Sequence, residues 1–420
     1  MRCYFKLLGL MRRDNIMQQT KPKQSWLQII ITVCAACIVF GIMQGVHDNY
    51  GIMMKALVVS TGVSYDRISF IIGVGAILYG LTQPFFGMLA LKKSNAFVIM
   101  IGIALMSIGL LVTPLCTNFL TMLLFFGIIL PSGTGAVCFG IVMGAITPLI
   151  GEKRAVTVSG IVQASAGIGD ALMSPGLQTM INWKGIHFGM GSFGILMMTT
   201  IPIVLWVGRK NKAITSAEAP AEQADETLME ILKGAFKDPM YRRVFIGFCT
   251  CGFNMSIIES HLFNQFVSWG IPETAASLVM TVYGILTMIG AMATGFLIAK
   301  FKMKNVLGSV YGIRVLISLF MLLFPKGFVF AIIITGFLGM TGDSTVPPTT
   351  GLITKQFGVR KMAIVYGITI VGHQVGAFFS SWLGGYCFIT YGNYTLLWVV
   401  NAVLCLIAST ASFSIKEETI

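Results

Sequence analysis

Apolar residues gather in twelve long runs along the chain, at about 27–50, 67–91, 96–115, 119–149, 155–180, 188–208, 243–268, 274–299, 305–324, 328–353, 361–388 and 394–414. Roughly 20 residues of helix, rising 1.5 Å each, cross the ~30 Å of bilayer hydrocarbon. Each run therefore predicts a transmembrane helix, with the longer ones tilted or extended past the bilayer. The first is too long for a signal peptide and lacks a small-residue cleavage site, so it reads as the first span. The one long polar stretch, 209–242, contains Ala219-Pro220 with Glu and Asp on either side. It predicts a linker between two sets of six spans. The expected organisation is a segment 1–26, a six-helix bundle 27–208, the linker 209–242, a second bundle 243–414 and a tail 415–420.

Composition narrows the class. Of 420 residues, 55% are hydrophobic and only 11% are Asp, Glu, Lys or Arg. A soluble domain carries about 25% charged residues. So few charges cannot cover the surface of a soluble protein of this length, and the mean hydropathy of +0.83 agrees. A cytosolic enzyme, a secreted disulfide scaffold and a disordered chain are excluded. What remains is an all-α integral membrane protein.

The formal net charge of +13 raises nucleic acid as a partner until its position is read. Lys55, Arg67, Lys184 and Lys326 fall on one side of the predicted membrane, and Arg314 lies inside a span. The other 24 of the 29 Lys and Arg residues lie on the opposite side. That is the positive-inside bias of a membrane protein. It predicts cytoplasmic termini and linker in a plasma or inner membrane, and no nucleic-acid partner. Met11 and Met17 precede the first span, and Met17 is an expected alternative start.

The two halves resemble each other at a shift of 207 residues. Thr134-Gly135 falls on Thr341-Gly342, Gly144 on Gly351, Gly151 on Gly358, Gly160-Ile161 on Gly367-Ile368, and Gly169 on Gly376. Parallel six-helix repeats build carriers whose substrate site lies at mid-membrane between the halves, alternately open to each side.

Several segments carry a family resemblance. They are Gly45-Val46-His47-Asp48-Asn49-Tyr50-Gly51, Gln83-Pro84-Phe85-Phe86-Gly87 and Gly151-Glu152-Lys153-Arg154. His373-Gln374-Val375-Gly376, Trp382-Leu383-Gly384-Gly385 and Tyr391-Gly392-Asn393-Tyr394 belong with them. The whole chain resembles the major facilitator superfamily, and within it bacterial carriers of the monocarboxylate and oxalate–formate porter type. The resemblance implies two six-helix bundles, a small-molecule substrate, and protons or a counter-substrate as coupling partners. It also implies a part for the eleventh span in the substrate site. The chain departs from that pattern where the loop after the second span, Gly87-Met88-Leu89-Ala90-Leu91-Lys92-Lys93-Ser94, has lost the family's acid. The segment from Gly295 to Lys304 lacks it too. The eighth span has no cation before Lys300, and His47 stands where relatives often have Arg.

An ionisable group at bilayer depth costs about 2.5–3.5 kcal/mol on insertion scales, so each one needs a reason to be there. His47 and Asp48 fall late in the first span, and Glu259 and His261 at matching depth in the seventh. Histidine titrates near neutrality, and a neighbouring carboxylate favours its charged form. The four are candidate proton carriers, or simply anchors at the helix ends. Asp170 in the fifth span and Asp343 in the tenth are further coupling candidates, with Arg314 an expected structural partner. Pro347-Pro348 and Thr341-Gly342 would loosen the tenth span near Asp343. His373 and Gln374, near the middle of the eleventh span, are expected to bind substrate. Gln163, Asn49, Tyr50, Tyr283 and Trp382 complete that set, with Tyr79 a further cavity-lining candidate; helix packing is the bland alternative for each.

Cys34 and Cys37, and Cys249 and Cys251, sit in apolar helices with no ligand spacing around them, so neither metal nor disulfide is expected. No Walker A, HExxH or GxSxG element is present, so no ATPase, protease or hydrolase chemistry is expected and no cofactor either. The expected function is secondary active transport of a small organic solute, an organic anion such as a monocarboxylate, by proton symport or exchange. The protein would work as a monomer in the lipid bilayer. Proton-coupled efflux of apolar drugs and a non-transporting sensor on the same scaffold are the alternatives.

Overall fold

The computed structural model of the protein describes residues 26–215 and 228–417. Those residues are helical throughout apart from short turns. Ten stretches are long and apolar enough to cross a membrane. One of them, Thr157–Lys210, turns back at Lys184-Gly185, where the backbone leaves helical geometry. A side chain at Gly189 would press on Leu177 and Ile181, so the run is a hairpin and supplies the fifth and sixth spans. The seventh span consists of Pro239–Ser256, a π-helical turn Ile257–Leu262 and Phe263–Ser268. It completes twelve crossings. The segments 1–25 and 216–227 lie outside the described residues. The flanks of the expected linker are helical, within Ile201–Thr215 and at Leu228–Lys237.

The internal repeat reappears as geometry. Gly151 (φ 83°, ψ 147°) turns the chain from the fourth span to the fifth, and Gly358 (φ 75°, ψ 163°) turns it from the tenth to the eleventh. Only glycine takes such a backbone at low cost. The fourth span breaks at Val137-Cys138, and the tenth at Gly342 before a 3-10 turn Asp343–Thr345. Each break lies one to four residues beyond the matched Thr-Gly pair's threonine. The shift extends to the first and seventh spans, where Gly45 matches Gly252.

These glycines set the packing. Without a hydrophobic force between helices in lipid, close backbone contact at small residues must hold them together. A side chain on Gly45 would lie 2.7 Å from the Gly169 carbonyl oxygen, and one on Gly169 would strike Gly41. The first span thus rides directly on the fifth. In the other half, Gly252 meets the His373 carbonyl and Gly376 meets that of Cys249, so the seventh rides on the eleventh.

The halves meet along two seams, the second span on the eleventh and the fifth on the eighth. Gly385 packs on Ser69, Gly73 on Phe378, and Gly80 on Gln374, while Gly167 meets Gly284. Beyond Gly80 the seam opens toward the end of the bundle where the lysines and arginines lie, here called the basic end. Nothing lies within 4 Å of where a side chain would begin on Gly87, Gly160, Gly295 or Gly367. The halves close at the opposite end and part at the basic end.

One sequence expectation changes. The first span does not stop near residue 50. After a break at Asp48-Asn49 it resumes as Tyr50–Thr61 and ends only at the left-handed Gly62. His47 and Asp48 are therefore not at a helix end but in mid-span.

The packing predicts a contrast between matched glycines. Gly169→Ala and Gly376→Ala force backbones apart and should each cost about 1–3 kcal/mol, as overpacking does. Gly160→Ala and Gly367→Ala meet open space and should change stability by no more than about 0.5 kcal/mol. Thermal unfolding of the four purified variants checks this.

Candidate functional site

The break in the first span carries the most concentrated polar group in the membrane interior. His47 Nδ1 lies 3.0 Å from Asp48 Oδ1, which also accepts from Gln44 Nε2 at 2.8 Å. Glu259, from the other half, completes the group. Donor atoms of His47, Asp48 and Glu259 all lie within 4.8 Å of one another, the one such trio among the described residues. Three groups this close can share a proton, and their donor set is also one that a divalent cation accepts. Glu259 sits in the π-helical turn of the seventh span, whose backbone packs on Gly51 just past the break.

Aromatic rings wall this group. The His47 ring lies 4.7 Å from that of Tyr79 and 5.5 Å from that of Tyr50. Tyr50 is buried, packs edge-on against Phe126, and its hydroxyl has no hydrogen-bond partner. Tyr283 is buried with its hydroxyl 3.4 Å from Met255 Sδ and beside Gly342. It stands within electrostatic reach of Asp48, Glu259, Asp343 and Asp170.

Asn49 turns the other way, into its own half. It donates to Asp170 Oδ1 at 2.9 Å and to the Gly45 carbonyl at 2.7 Å, and accepts from Ser174. Asp170 is 1% exposed, with its second oxygen unpartnered and facing Gly284 of the other half. Asp170 therefore belongs to the seam between the fifth and eighth spans, and Asn49 is its holder more than a wall of the cavity. Gln163 stays half-buried, two turns toward the basic end.

The second half contributes a parallel group. His373 packs 5.1 Å from the Phe248 ring and leaves Nδ1 buried without a partner. Cys251 Sγ also lies 3.1 Å from Thr345 Oγ1. Arg314, fully buried, does not pair with the Asp343 carboxylate. It donates to the carbonyls of Thr341 (2.5 Å) and Gly342 (2.7 Å), which the break in the tenth span leaves without helical partners. Asp343 is thereby left half-buried, within electrostatic reach of Asp48, Cys251, His373 and Arg314.

Beside Asn49, Asp170 and Gln163, three more of the expected site residues are not brought to the centre. His261 lies two positions from Glu259, hence on nearly the opposite face of the π-helical turn. It bonds Tyr65 and the Ser381 carbonyl toward the opposite end. Trp382 is 47% exposed and lines a surface cavity of about 410 Å³ with Asp66, Arg67, Phe70 and Phe119. Gln374 is buried under Gly80 in the seam. Conversely, sequence reasoning passed over Gln44 and Asn254. Asn254 is the repeat partner of His47, 1% exposed, and neither polar atom of its amide has a partner. Extending the 207-residue shift to the first span would have found it.

A twelve-helix bundle of two repeated halves, with ionisable groups gathered between them at mid-membrane, defines a membrane carrier. A profile of the Major Facilitator Superfamily matches residues 29–269 and 265–419, and the chain belongs to that family. It is a multi-pass secondary transporter of small molecules and not an enzyme. It is 23% identical over 400 residues to the uncharacterized MFS-type transporter YcxA of Bacillus subtilis (strain 168), covering 92% of this chain and 93% of that one. It is 20% identical over 342 residues to monocarboxylate transporter 12 of Xenopus laevis, covering 73% and 72%. Among solved structures it is similar to a bacterial homologue of the human lysosomal transporter Spinster in an inward-facing, unoccupied conformation. That likeness has a TM-score of 0.72 at 13% identity, over 93% of this chain and 97% of that one.

Asn49→Ala should leave Asp170 with neither oxygen partnered and lower stability by about 1–3 kcal/mol, the cost of a stranded buried polar group. Ser174→Ala should cost less, since it removes one donor to an amide that keeps its other bonds. Thermal unfolding at one pH checks the order; equal losses would show that Asn49 does not hold Asp170.

Proposed function

We propose that the protein is a proton-coupled carrier of a small polar organic solute, with an organic anion such as a monocarboxylate as the first candidate. The observation that carries this is the His47–Asp48–Glu259 group, built from both halves. Its members can stay within 4.8 Å of one another only while the halves hold their present arrangement. A proton bound by the group therefore favours one arrangement over the other, and a ligand can shift a conformational equilibrium only through such a difference. Asp343 and Asp170 are the secondary proton sites of this scheme.

The positive-inside bias makes the basic end cytoplasmic, in a plasma or inner membrane. On that reading the structure is open inward, and both termini and the linker are cytoplasmic. The two bundles, 27–208 and 243–414, are the units that rock, within a single copy of the chain.

Three unpartnered buried groups describe the solute: the Tyr50 hydroxyl, the Asn254 amide and His373 Nδ1. Buried polar groups without partners disfavour a ligand that cannot satisfy them. They support a polar solute over an apolar drug. A carboxylate can accept from Tyr50 and Asn254, and a proton on the central group offsets its charge. The resemblance to monocarboxylate carriers and the frog relative point the same way. A second reading, proton-coupled efflux of a cationic apolar drug, is favoured by three half-buried carboxylates, Asp48, Glu259 and Asp343, within the spans. The third, a non-transporting sensor, predicts no flux at all.

Reconstitution in liposomes separates these readings. With an imposed pH gradient, short monocarboxylates should accumulate against their own gradient. Glu259→Gln should lose that accumulation by at least about tenfold, an effect of about 1.4 kcal/mol or more, yet keep solute-for-solute exchange at equal pH. Accumulation that ignores the pH gradient sinks proton coupling. Accumulation of lipophilic amines in place of carboxylates selects the efflux reading.

A further inference from the structure

At the closed end of the molecule, charge is scarce and hydrogen bonds join the halves. Tyr65, the first residue of the second span, is buried and reaches across the seam. Its hydroxyl lies 3.2 Å from His261 Nδ1 and 2.9 Å from the Tyr394 hydroxyl. His261 Nε2 lies 2.9 Å from the Ser381 carbonyl oxygen. A carbonyl can only accept, so Nε2 carries the proton and Nδ1 accepts from Tyr65. Tyr65 oxygen in turn accepts from Tyr394. The chain of donors runs in one direction, with every member satisfied. His261 is 0% exposed and its ring packs on Gly384, where a side chain would collide with it. Phe388 closes the cluster, 4.8 Å from the Tyr65 ring and 5.4 Å from that of Tyr394. Beside it, Ser381 Oγ donates across the seam to the Ser69 carbonyl at 2.8 Å.

Among the described residues the charged alternative at this end centres on Glu273: Lys55 Nζ lies 3.0 Å from its Oε1, with side chains 58% and 35% exposed, and Gln178 Nε2 donates to its Oε2 at 3.2 Å. Exposed pairs of this kind contribute about 0–1 kcal/mol. The buried hydrogen bonds of Tyr65 are two, each worth about 1 kcal/mol, and breaking them strands buried partners.

We propose that Tyr65, His261 and Tyr394 form a charge-neutral latch that holds the halves together at this end and sets the balance between the two open states of the carrier. They are positioning residues for the transport cycle: none reaches the central group, and each acts by favouring the arrangement in which that group is assembled. The latch does for this chain what an ion-pair gate would do elsewhere, with no charge to desolvate each time the halves close.

The test reads both ends of the same molecule. Ser69→Cys lies buried in the closed seam, and Gly87→Cys faces the open basic end. Each is introduced singly and its labelling by a soluble maleimide is followed in detergent, where both ends are reachable, against the parent protein's background. Tyr65→Phe keeps the ring and removes both bonds. It should speed labelling at position 69 about tenfold and slow it at position 87, as a loss of about 1–2 kcal/mol from one state requires. His261→Ala should do the same. Lys55→Gln with Glu273→Gln, or 0.5 M salt (roughly enough to cut the Debye length to about 4 Å), should move either rate by less than about twofold. If Tyr65→Phe accelerates both positions, it has merely loosened the fold and the latch is overturned. It is equally overturned if Tyr65→Phe changes neither rate, or if removing the ion pair has the larger effect. Tyr65→Phe carries the test should His261→Ala fail to fold.

Discussion

A charge inside the hydrocarbon has no water to lean on, and nearly every polar contact in this protein answers that constraint. The ionisable groups at mid-membrane depth do not scatter. Asp48 is held by His47 and Gln44, and Asp170 by Asn49. Arg314 is fully buried, and its guanidinium fixes the two carbonyls that the broken tenth span would otherwise expose. That contact joins two costs and reduces both, because a stranded carbonyl and a stranded cation are each expensive in lipid. It also leaves Asp343 without its expected partner and free to face the centre.

The same constraint explains why helix breaks occur where they do. Non-helical backbone is tolerated at membrane depth only where protein covers it or where it lines a cavity. Gly342 is covered by Tyr283, Thr287 and Arg314. Asp48-Asn49 is braced on the Gly45 carbonyl through the Asn49 amide. The paired glycines bring the first span onto the fifth and the seventh onto the eleventh closely enough for such bracing to reach. Packing and polar chemistry are thus one arrangement: without Gly45 against Gly169, Asn49 would not lie within 2.9 Å of Asp170.

The fold was legible because length, apolarity and charge asymmetry are properties of whole segments. The twelve runs and the repeat survive into the structure, where the matched glycines 151 and 358 are seen to be turns. The site was legible only in part, because it depends on which way single side chains face. Residue type and depth alone singled out His47, Asp48, Glu259, Tyr50, Tyr283 and His373 as candidates, and the structure gathers the first three into one group with Tyr50 beside it. His261 was misdirected because matching depth is not matching face, and two residues apart on a helix are nearly opposite. The end of the first span was missed because Lys55 interrupts the apolar run, although its ammonium reaches out to Glu273 at the surface. Asn254 was missed because it stands out only as the repeat partner of a histidine, in a span to which the repeat had not been extended.

The two ends of the molecule have solved one problem with different chemistry. The loops after the second and eighth spans lack the acids of the family pattern and keep basic residues. Basic residues alone repel across the gap, so the basic end has little to hold it shut. At the opposite end the seam is closed by phenols, an imidazole and serine hydroxyls, none of which must be ionised to bond. A carrier with a weak lock on one side and a neutral, fully satisfied one on the other rests open toward the weak side. On the proposed proton-coupled scheme, Asp48 and Glu259, which are only half-buried in this arrangement, would exchange protons with water from the open side. The lost loop acids, which taken alone suggest a carrier that has stopped working, fit one whose resting side has been chosen.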